Sequence, residues 1–526
     1  MRSPELSAWL LLFCLLTGRL PALGGEPSVE TDREQYLRQR DAWLERDRAD
    51  RLSADLSLTA SEQRADSVLS ALKAPWLALP KHRFPPAHRF HEVRPMYDRS
   101  VLLTVMDSLP KGGLLHCHPS ATGDFDVLME ATYKPEAWIY TGPGSDETVA
   151  WSWRWSEEQP GEQWRRMIDL RAEADDTSAF NQWLLETITS GLEDYEKGDI
   201  WVDFENNFLR KWRFGGHPAL RQRYFVETCL QLAREKILWV EFHTWVGPRR
   251  KPDGSLRSNE EEMQWWSDLV DTVRSTGFPH FDIKLVAAAS RQSTPKEVHA
   301  YWLRLIDFLE HHPDRVIGFD LVSEEDKGRS NLDYLDAFLD IEHRMQEKGL
   351  AFVPYIHSGE SNRLDNRNLF DAILMGTRRI GHGYALERHP YLVQQVIERN
   401  ICLEVCPISN QTLDYVDDLR NHPAVMWLAT GVPFVLSSDD PGLMRYRWSY
   451  DWVAAVLGWD LSIADIRMLI ENSFAYGGLT DEQRPAVHAA WQQQWDDFIA
   501  WLADAALQPD VIPEEEPVSG AGGYGY

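Results

Sequence analysis

The chain has 526 residues, of which 43% are hydrophobic and 26% are charged, as is usual for a globular protein. Its 82 acidic and 54 basic residues give a formal net charge of −28. A surface this acidic repels phosphate backbones, so we expect no nucleic-acid partner and no electrostatic docking on an anionic membrane.

The first 25 residues are predicted to be an export signal. Arg2 precedes an apolar run from Ala8 to Leu16, and small residues follow at Ala22-Leu23-Gly24. The run is shorter than the roughly 20 residues that a membrane span needs. We therefore expect a secreted or periplasmic protein without a membrane segment.

Residues 26–110 are polar, charged and helical in pattern, without a strand-like run. Apolar residues spaced among Arg, Asp and Glu from Tyr36 to Leu72 are typical of helices. Phe84-Pro85-Pro86 then interrupts the pattern. Such a helical N-terminal extension either packs on the domain that follows it or pairs with a second copy of the chain, so a homodimer is one of two alternatives.

From residue 111 the pattern changes to short β-rich apolar runs that alternate with helical stretches such as Pro295–His311 and Leu332–Lys348. This alternation predicts parallel βαβ units. Eight such units over residues 111–506 predict an α/β fold of the (β/α)8 TIM-barrel type. The predicted strands are Leu114–His118, Trp239–Thr244, Ile283–Ala288, Val316–Val322, Phe352–His357, Arg379–Gly383, Ile401–Cys406 and Phe434–Ser438.

The connection after the first predicted strand is over a hundred residues long and contains the tryptophan-rich segment 151–155. A connection of that length needs structure of its own or a function. Residues 125–199 are therefore predicted to form an inserted subdomain or lid. Residues 507–526, rich in Pro, Glu and Gly, are predicted to be a disordered tail.

Polar residues cluster where the predicted strands end. Residues two apart on a strand share a face, so the two imidazoles of His116-Cys117-His118 can bind one metal ion. Because strand ends meet at one face of a barrel, groups from other strands can join them. Three imidazoles and a carboxylate make a catalytic zinc site, and a spare acid and histidine allow acid–base chemistry. The polar residues concerned are His116, His118, His357, Glu360, His382, Asp439 and Asp440.

Seven motifs in this region share their order and spacing with a known family. They are Lys111–His118, Gly318–Leu321, His357–Glu360, Arg379–Gly383, Glu404–Gln411, Leu419–Pro423 and Ser437–Pro441. The chain resembles the adenosine deaminase family, and most of all its secreted branch, the adenosine deaminase-related growth factors. The helical extension, the insertion after the first strand and the export signal also fit that branch.

The resemblance implies zinc-dependent hydrolytic deamination of adenosine or 2′-deoxyadenosine to inosine and ammonia, with one zinc ion per chain. Glu360 is implied as the proton donor to purine N1, and His382 as the group that orients and activates the attacking hydroxide. Asp440 is implied to hydrogen-bond the purine near N7, with Ser323 and Trp201 as further substrate contacts. The implied zinc ligands are His116, His118, His357 and Asp439. The implied catalytic residues are Glu360, His382 and Asp439.

Two positions depart from the family pattern. Pro119 follows His118 where the secreted branch has an aspartate, and Ser323 replaces a glycine whose backbone meets the purine. Proline donates no hydrogen bond, so recognition of the sugar stays open. The alternatives are a single-zinc amidohydrolase or deaminase for another purine derivative, and a non-catalytic binding protein of the growth-factor kind.

Overall fold

The structure is a computed structural model that describes residues 29–123, 125–142, 152–191 and 200–513. The predicted export signal and residues 514–526 of the predicted tail lie outside these ranges. The helix Val29–Ala49 belongs to one compact unit, which ends at Asp50, and the chain from Arg51 onward forms a second unit. Within the described ranges, no helix is both long enough and apolar enough to span a bilayer.

Eight parallel strands of the second unit form the predicted TIM barrel. The first four make one sheet and the last four make another, each in chain order. Parallel bridges from Phe319 to Pro354 and from Cys117 to Asp439 join the two sheets into a closed barrel. The barrel strands are Gly112–Cys117, Ile237–Thr244, Asp282–Ser290, Val316–Val322, Tyr355–Ser358, Arg379–His382, Cys402–Val405 and Phe434–Leu436.

The barrel strands are almost continuously apolar because both of their faces are buried, as in parallel sheets generally. The fifth strand starts at Tyr355 rather than at the predicted Phe352. Pro354 precedes it and has no N–H to donate to a ladder, so regular pairing begins only after the proline.

Helices cover the outside of the barrel and place their apolar residues against the strands. Pro295–His311 has the predicted bounds and begins with a capping box between Thr294 and Glu297. The barrel helices are Asn259–Ser275, Pro295–His311, Leu335–Glu347, Asn368–Leu374, Pro390–Glu398, Pro407–Thr412, Ala424–Thr430, Trp448–Gly458, Ile463–Tyr476 and Arg484–Asp504. The 3-10 turns among the described residues are Lys81–Arg83, Pro85–Ala87, Asn331–Tyr334, Tyr384–Arg388 and Leu419–Asn421.

The helices Ala60–Leu77, Phe90–Asp98 and Val101–Ser108 belong to the same unit as the barrel. Lys73 Nζ lies 2.6 Å from Asp460 Oδ1, which ties the first of them to the loop before Ile463–Tyr476. The predicted extension 26–110 is therefore divided, with residues 51–110 in one unit with the barrel and Val29–Ala49 in the other.

The first seven residues of the predicted disordered tail, 507–513, are ordered, because side-chain contacts hold them against the helices. Asp510 accepts hydrogen bonds from Trp76 Nε1 (2.8 Å), Ser100 Oγ (2.8 Å) and the Val101 amide (3.0 Å). A single carboxylate that caps the helix Val101–Ser108 accounts for this order, and the composition of the segment gives no sign of it.

The connection after the first barrel strand contains a small antiparallel sheet within the predicted subdomain. Ala137–Tyr140 is its central strand, flanked by Trp153–Trp155 and Trp164–Arg166. The helices of this connection are Pro119–Thr122, Asp126–Ala131, Met167–Glu173, Thr177–Glu186, Ile200–Gly215 and Pro218–Arg234. We call Ile200–Gly215 the wall helix, because it lines the cavity described next.

Candidate active site

Four potential metal ligands meet at the carboxyl ends of the barrel strands. One ligand atom from each lies within 4.8 Å of the others, and all four residues are buried. The joint between the first and last strands fixes two of the strand ends, because the Asp439 amide donates to the His116 carbonyl (3.1 Å) and the His118 amide to the Asp439 carbonyl (3.2 Å). The four residues are His116, His118, His357 and Asp439, as the resemblance implies.

Each imidazole of this group has a polar partner close to Nδ1, which is hydrogen-bonded for His116 and His118, whereas His357 Nδ1 lies beside the Asp320 carboxylate outside hydrogen-bond geometry. Metal-binding histidines commonly use one ring nitrogen for such a partner, which fixes the tautomer and leaves the other for the ion. His116 Nε2 has no hydrogen-bond partner among the described residues, although it is fully buried. The Nδ1 contacts are His116 with Glu404 Oε2 (2.7 Å), His118 with the His243 carbonyl (3.1 Å) and His357 with Asp320 Oδ2 (2.8 Å).

Asp439 is the carboxylate of the group. Its Oδ1 lies 3.2 Å from His118 Nε2 and 3.7 Å from His116 Nε2, and its Oδ2 accepts a hydrogen bond from Ser409 Oγ (2.7 Å). Burial opposes ionisation, but the His116 and His118 imidazoles close to its carboxylate hold the pKa of Asp439 well below its usual range. Three imidazoles and an ionised carboxylate form a donor set that can bind a metal ion and suits zinc.

Glu360 and His382 lie beside this group. Ligand atoms of both approach Asp439 within 4.8 Å, and His382 Nδ1 is 3.5 Å from Glu360 Oε1. Burial raises the pKa of Glu360 well above its usual value, and the charges of Asp439 and Glu325 add to this effect. Burial lowers the pKa of His382. The environment therefore favours a protonated carboxylic acid and a neutral imidazole, which can donate and accept a proton, respectively.

The remaining predicted contacts, Asp440, Ser323 and Trp201, line the same cavity. Ser323 Oγ lies 3.0 Å from Ser290 Oγ. Trp201, on the wall helix, donates from Nε1 to Tyr415 Oη (2.9 Å), and Tyr415 Oη donates to the Glu360 carbonyl (3.0 Å). Trp201 is thus connected to the backbone of Glu360 through one tyrosine.

Three residues of the site adopt left-handed backbone conformations that non-glycine residues rarely take. The φ angle is 60° at His382, 61° at Asp439 and 83° at Ser323. Such a residue costs about 1–3 kcal/mol and persists only where the surroundings impose it. The fold therefore holds these side chains in place at a cost in stability.

The cavity at this face has a volume of about 770 Å3. His118, His357 and Asp439 of the candidate ligands line it together with Glu360 and His382, and the wall helix lines it as well. Pro119 and Ser120 also line it, next to His118. A purine nucleoside fits a cavity of this size, since ligand sites usually measure about 300–1,000 Å3.

Sequence reasoning assigned no role to the residues that hold the ligands. Glu404 joins His116 to Arg379, whose Nε donates to Glu404 Oε1 and whose Nη2 lies 2.7 Å from Glu241 Oε2. Asp320 contacts His357. Glu404 and Asp320 could have been noticed because each is a charged residue inside an apolar strand. A charge buried in this way needs a buried partner. Glu325 gives a weaker signal, although it accepts hydrogen bonds from the Gly359 and Glu360 amides (3.0 and 2.9 Å).

Known proteins resemble the chain in sequence and in fold. A family model described as adenosine deaminase matches residues 182–489. The chain is 29% identical over 495 residues to an adenosine deaminase of Aedes albopictus, which covers 89% of each chain. It is 29% identical over 486 residues to an adenosine deaminase 2 of Sus scrofa, covering 88% of this chain and 94% of that one. The N6-methyl-AMP deaminase structure of Arabidopsis thaliana, 17% identical, superposes with a TM-score of 0.53 over 75% of this chain and 99% of that chain.

Proposed function

Because this chain belongs to the adenosine deaminase family, a family of metal-dependent hydrolytic purine deaminases, we propose that it converts adenosine or 2′-deoxyadenosine to inosine and ammonia. The observation that carries the proposal is the convergence of four buried ligand atoms within 4.8 Å, with Glu360 and His382 directly beside them. A metal group alone is compatible with many hydrolases. The added acid and histidine match what replacement of an amino group by water requires.

We propose one zinc ion per chain, held by the three histidines and Asp439. When bound, zinc supplies the Lewis acidity that makes water a nucleophile near neutral pH. The donor set fits this ion because it consists of imidazole nitrogens and one carboxylate, and a polar group lies beside each Nδ1 atom and leaves Nε2 for the ion.

Two side chains beside the metal site, Glu360 and His382, carry out the proton transfers. Glu360 donates a proton to purine N1, which makes C6 electrophilic, and His382 orients the attacking water and accepts its proton. Water adds at C6, the proton taken up by His382 passes to the 6-amino group, and this group leaves as ammonia. The C6 hydroxyl returns its proton to Glu360 as the 6-oxopurine forms. Asp440 hydrogen-bonds the ring near N7, and the Ser323 backbone and Trp201 hold the nucleoside. Each acid–base role contributes on the order of 10²–10⁴ in rate.

The test is turnover of adenosine by the purified protein, with inosine and ammonia followed by chromatography and the metal content measured on the same sample. Glu360→Gln should lower kcat by about 10²–10⁴ and leave the metal content unchanged. Glu297→Gln is the matched control, because Glu297 lines the cavity but lies at an exposed helix start, so it should keep near-normal turnover.

The outcomes separate the alternatives. Deamination that chelation and Glu360→Gln both abolish supports the proposal. A protein that binds one zinc ion per chain but leaves adenosine unchanged acts on another purine derivative. A protein with neither zinc nor turnover is a binding protein of the growth-factor kind.

We also propose that the protein is exported and that it forms a homodimer through Val29–Ala49. Tyr36 and Trp43 are seven residues apart on this helix, so they share a face, and they are 67% and 71% exposed. In sedimentation analysis, Trp43→Glu should convert a dimer into a monomer, whereas Trp183→Glu, at another exposed tryptophan, should not. Export would appear as a mature N-terminus near residue 26 when a eukaryotic or bacterial host secretes the full chain.

A further inference from the structure

The cavity includes residues that the deamination chemistry does not use. Arg249 and Trp245 line it from the loop after the second barrel strand, Tyr301 from the helix after the third, and Trp212 from the wall helix. The cavity volume of about 770 Å3 lies in the upper half of the usual range for ligand sites. These residues leave room for a substituent on the nucleoside.

Arg249 is held firmly but is not saturated with hydrogen bonds. Its Nη2 donates to the Trp245 carbonyl (2.7 Å) and to Thr244 Oγ1 (3.2 Å), and its guanidinium lies 5.2 Å and 5.6 Å from the ring centroids of Trp212 and Trp245. The side chain is only 9% exposed, yet Nε and Nη1 have no hydrogen-bond partner among the described residues. Glu262 Oε1 lies 3.7 Å from Nη1, which is too far for a hydrogen bond. Buried donors normally have an acceptor, so these two atoms leave Arg249 with donor capacity for a ligand oxygen.

The surroundings of Arg249 carry excess positive charge. Glu262 is shared by Arg221 (2.6 Å), Arg257 (3.3 Å) and Arg249 (3.7 Å), so one carboxylate faces three guanidinium groups. Such an excess in a chain of net charge −28 marks a local site for an anion.

Besides Glu360, Asp439 and Asp440 of the candidate catalytic group, two acids line the cavity, and both accept hydrogen bonds from backbone or side-chain groups other than Arg249. Glu297 accepts from the Thr294 amide and hydroxyl (both 2.8 Å) at the start of its helix. Glu205 accepts from the Glu324 amide (3.3 Å). Arg249 therefore keeps the capacity to bind an anion from the substrate.

We propose that Arg249 is the centre of an anion subsite, which lets the site deaminate a 6-aminopurine nucleoside with a phosphate on its sugar in preference to the plain nucleoside. This inference rests on the proposed deaminase function. The sugar is joined to N9, on the opposite side of the purine from C6, so its substituents extend from the metal group along the cavity. A guanidinium between aromatic rings is well suited to phosphate oxygens.

The experiment compares kcat/KM for adenosine, adenosine 5′-phosphate and adenosine 3′-phosphate with the full protein. One of the two phosphates should be turned over with at least tenfold higher kcat/KM than adenosine, and this advantage should shrink as salt is added. The compound with the higher kcat/KM shows whether the subsite binds a phosphate at the 5′ or at the 3′ position of the sugar. Inosine 5′-phosphate should likewise inhibit at least tenfold more strongly than inosine, a measurement that needs no variant.

Arg249→Gln should remove at least tenfold of the phosphate advantage and change kcat/KM for adenosine less than threefold. Arg257→Gln is the matched control, because Arg257 shares Glu262 but does not line the cavity, so the phosphate advantage should persist. Equal losses for adenosine and its phosphates, or equal effects of the two variants, would show a structural role and overturn the inference. Adenosine turnover without any phosphate preference would also overturn it, whereas failure to deaminate any of the compounds would instead reject the proposed function.

Discussion

The hydrogen bond between Glu404 and His116 can be tested for its contribution to metal affinity. Glu404 is completely buried, with Oε2 at 2.7 Å from His116 Nδ1 and Oε1 accepting from Arg379 Nε. In Glu404→Gln the side chain keeps its shape but offers one acceptor and one NH2 group. Either His116 or Arg379 must then face a donor, so one of these two hydrogen bonds is lost.

The expected effect has two parts. Loss of the partner that orients a metal ligand costs about 10–100-fold in metal affinity, which corresponds to about 1.4–2.7 kcal/mol. Arg379 also loses one of its two buried carboxylate partners, and breaking such a buried pair costs about 3–5 kcal/mol in the free energy of unfolding. We expect the lower end of that range, because Glu241 still contacts Arg379 at 2.7 Å.

Glu241→Gln is the matched control. Glu241 is equally buried and contacts the same guanidinium, but hydrogen-bonds Trp239 and Gly478 instead of a metal ligand. Both variants should lose similar unfolding free energy in urea after chelation, and only Glu404→Gln should bind zinc more weakly in a chelator competition titration. The reasoning is refuted if Glu404→Gln binds zinc within threefold of the normal affinity, or if Glu241→Gln weakens zinc binding as much.

Three further changes have defined outcomes. Ser323→Gly should raise the free energy of unfolding in urea by about 1 kcal/mol, because a φ of 83° strains serine more than glycine; a loss of stability would contradict this. Asp510→Ala should lower it by about 1–2 kcal/mol without changing kcat, because the Val101 amide and the Trp76 indole lose their acceptor; unchanged stability would show that the 507–513 segment contributes nothing. Tyr415→Phe should lower kcat/KM about 3–10-fold at unchanged metal content, and a normal kcat/KM would show that the link from the wall helix to Glu360 is dispensable.

The fold could be predicted because its signals are local. Most barrel strands are short apolar runs, and several of the following helices have their own start signal, such as the capping box at Thr294. The predicted TIM barrel and the resemblance to the adenosine deaminase family are confirmed. His116 and His118 could be paired by the strand period of two, and the rule that strand ends converge placed His357 and Asp439 near them.

The supporting residues could not be predicted because their partners lie far away in the chain. Glu404 and His116 are 288 residues apart, and Arg249 meets Glu262 only through the packing of a loop against a helix. A pattern of neighbouring residues carries no information about such pairs. The left-handed conformation of Ser323 is similarly imposed by tertiary structure, since nothing in serine itself favours it.

The joint between the first and last barrel strands also sets an order of events during synthesis. His116 belongs to the first barrel strand, whereas Asp439 emerges only after all the other strands have been made. At about 5–20 residues per second, translation of the intervening chain takes on the order of tens of seconds. During that time the first strand has an unpaired edge and an incomplete metal site. The nascent chain is therefore exposed to misassembly over this interval, and its four candidate metal ligands come together only when the barrel closes.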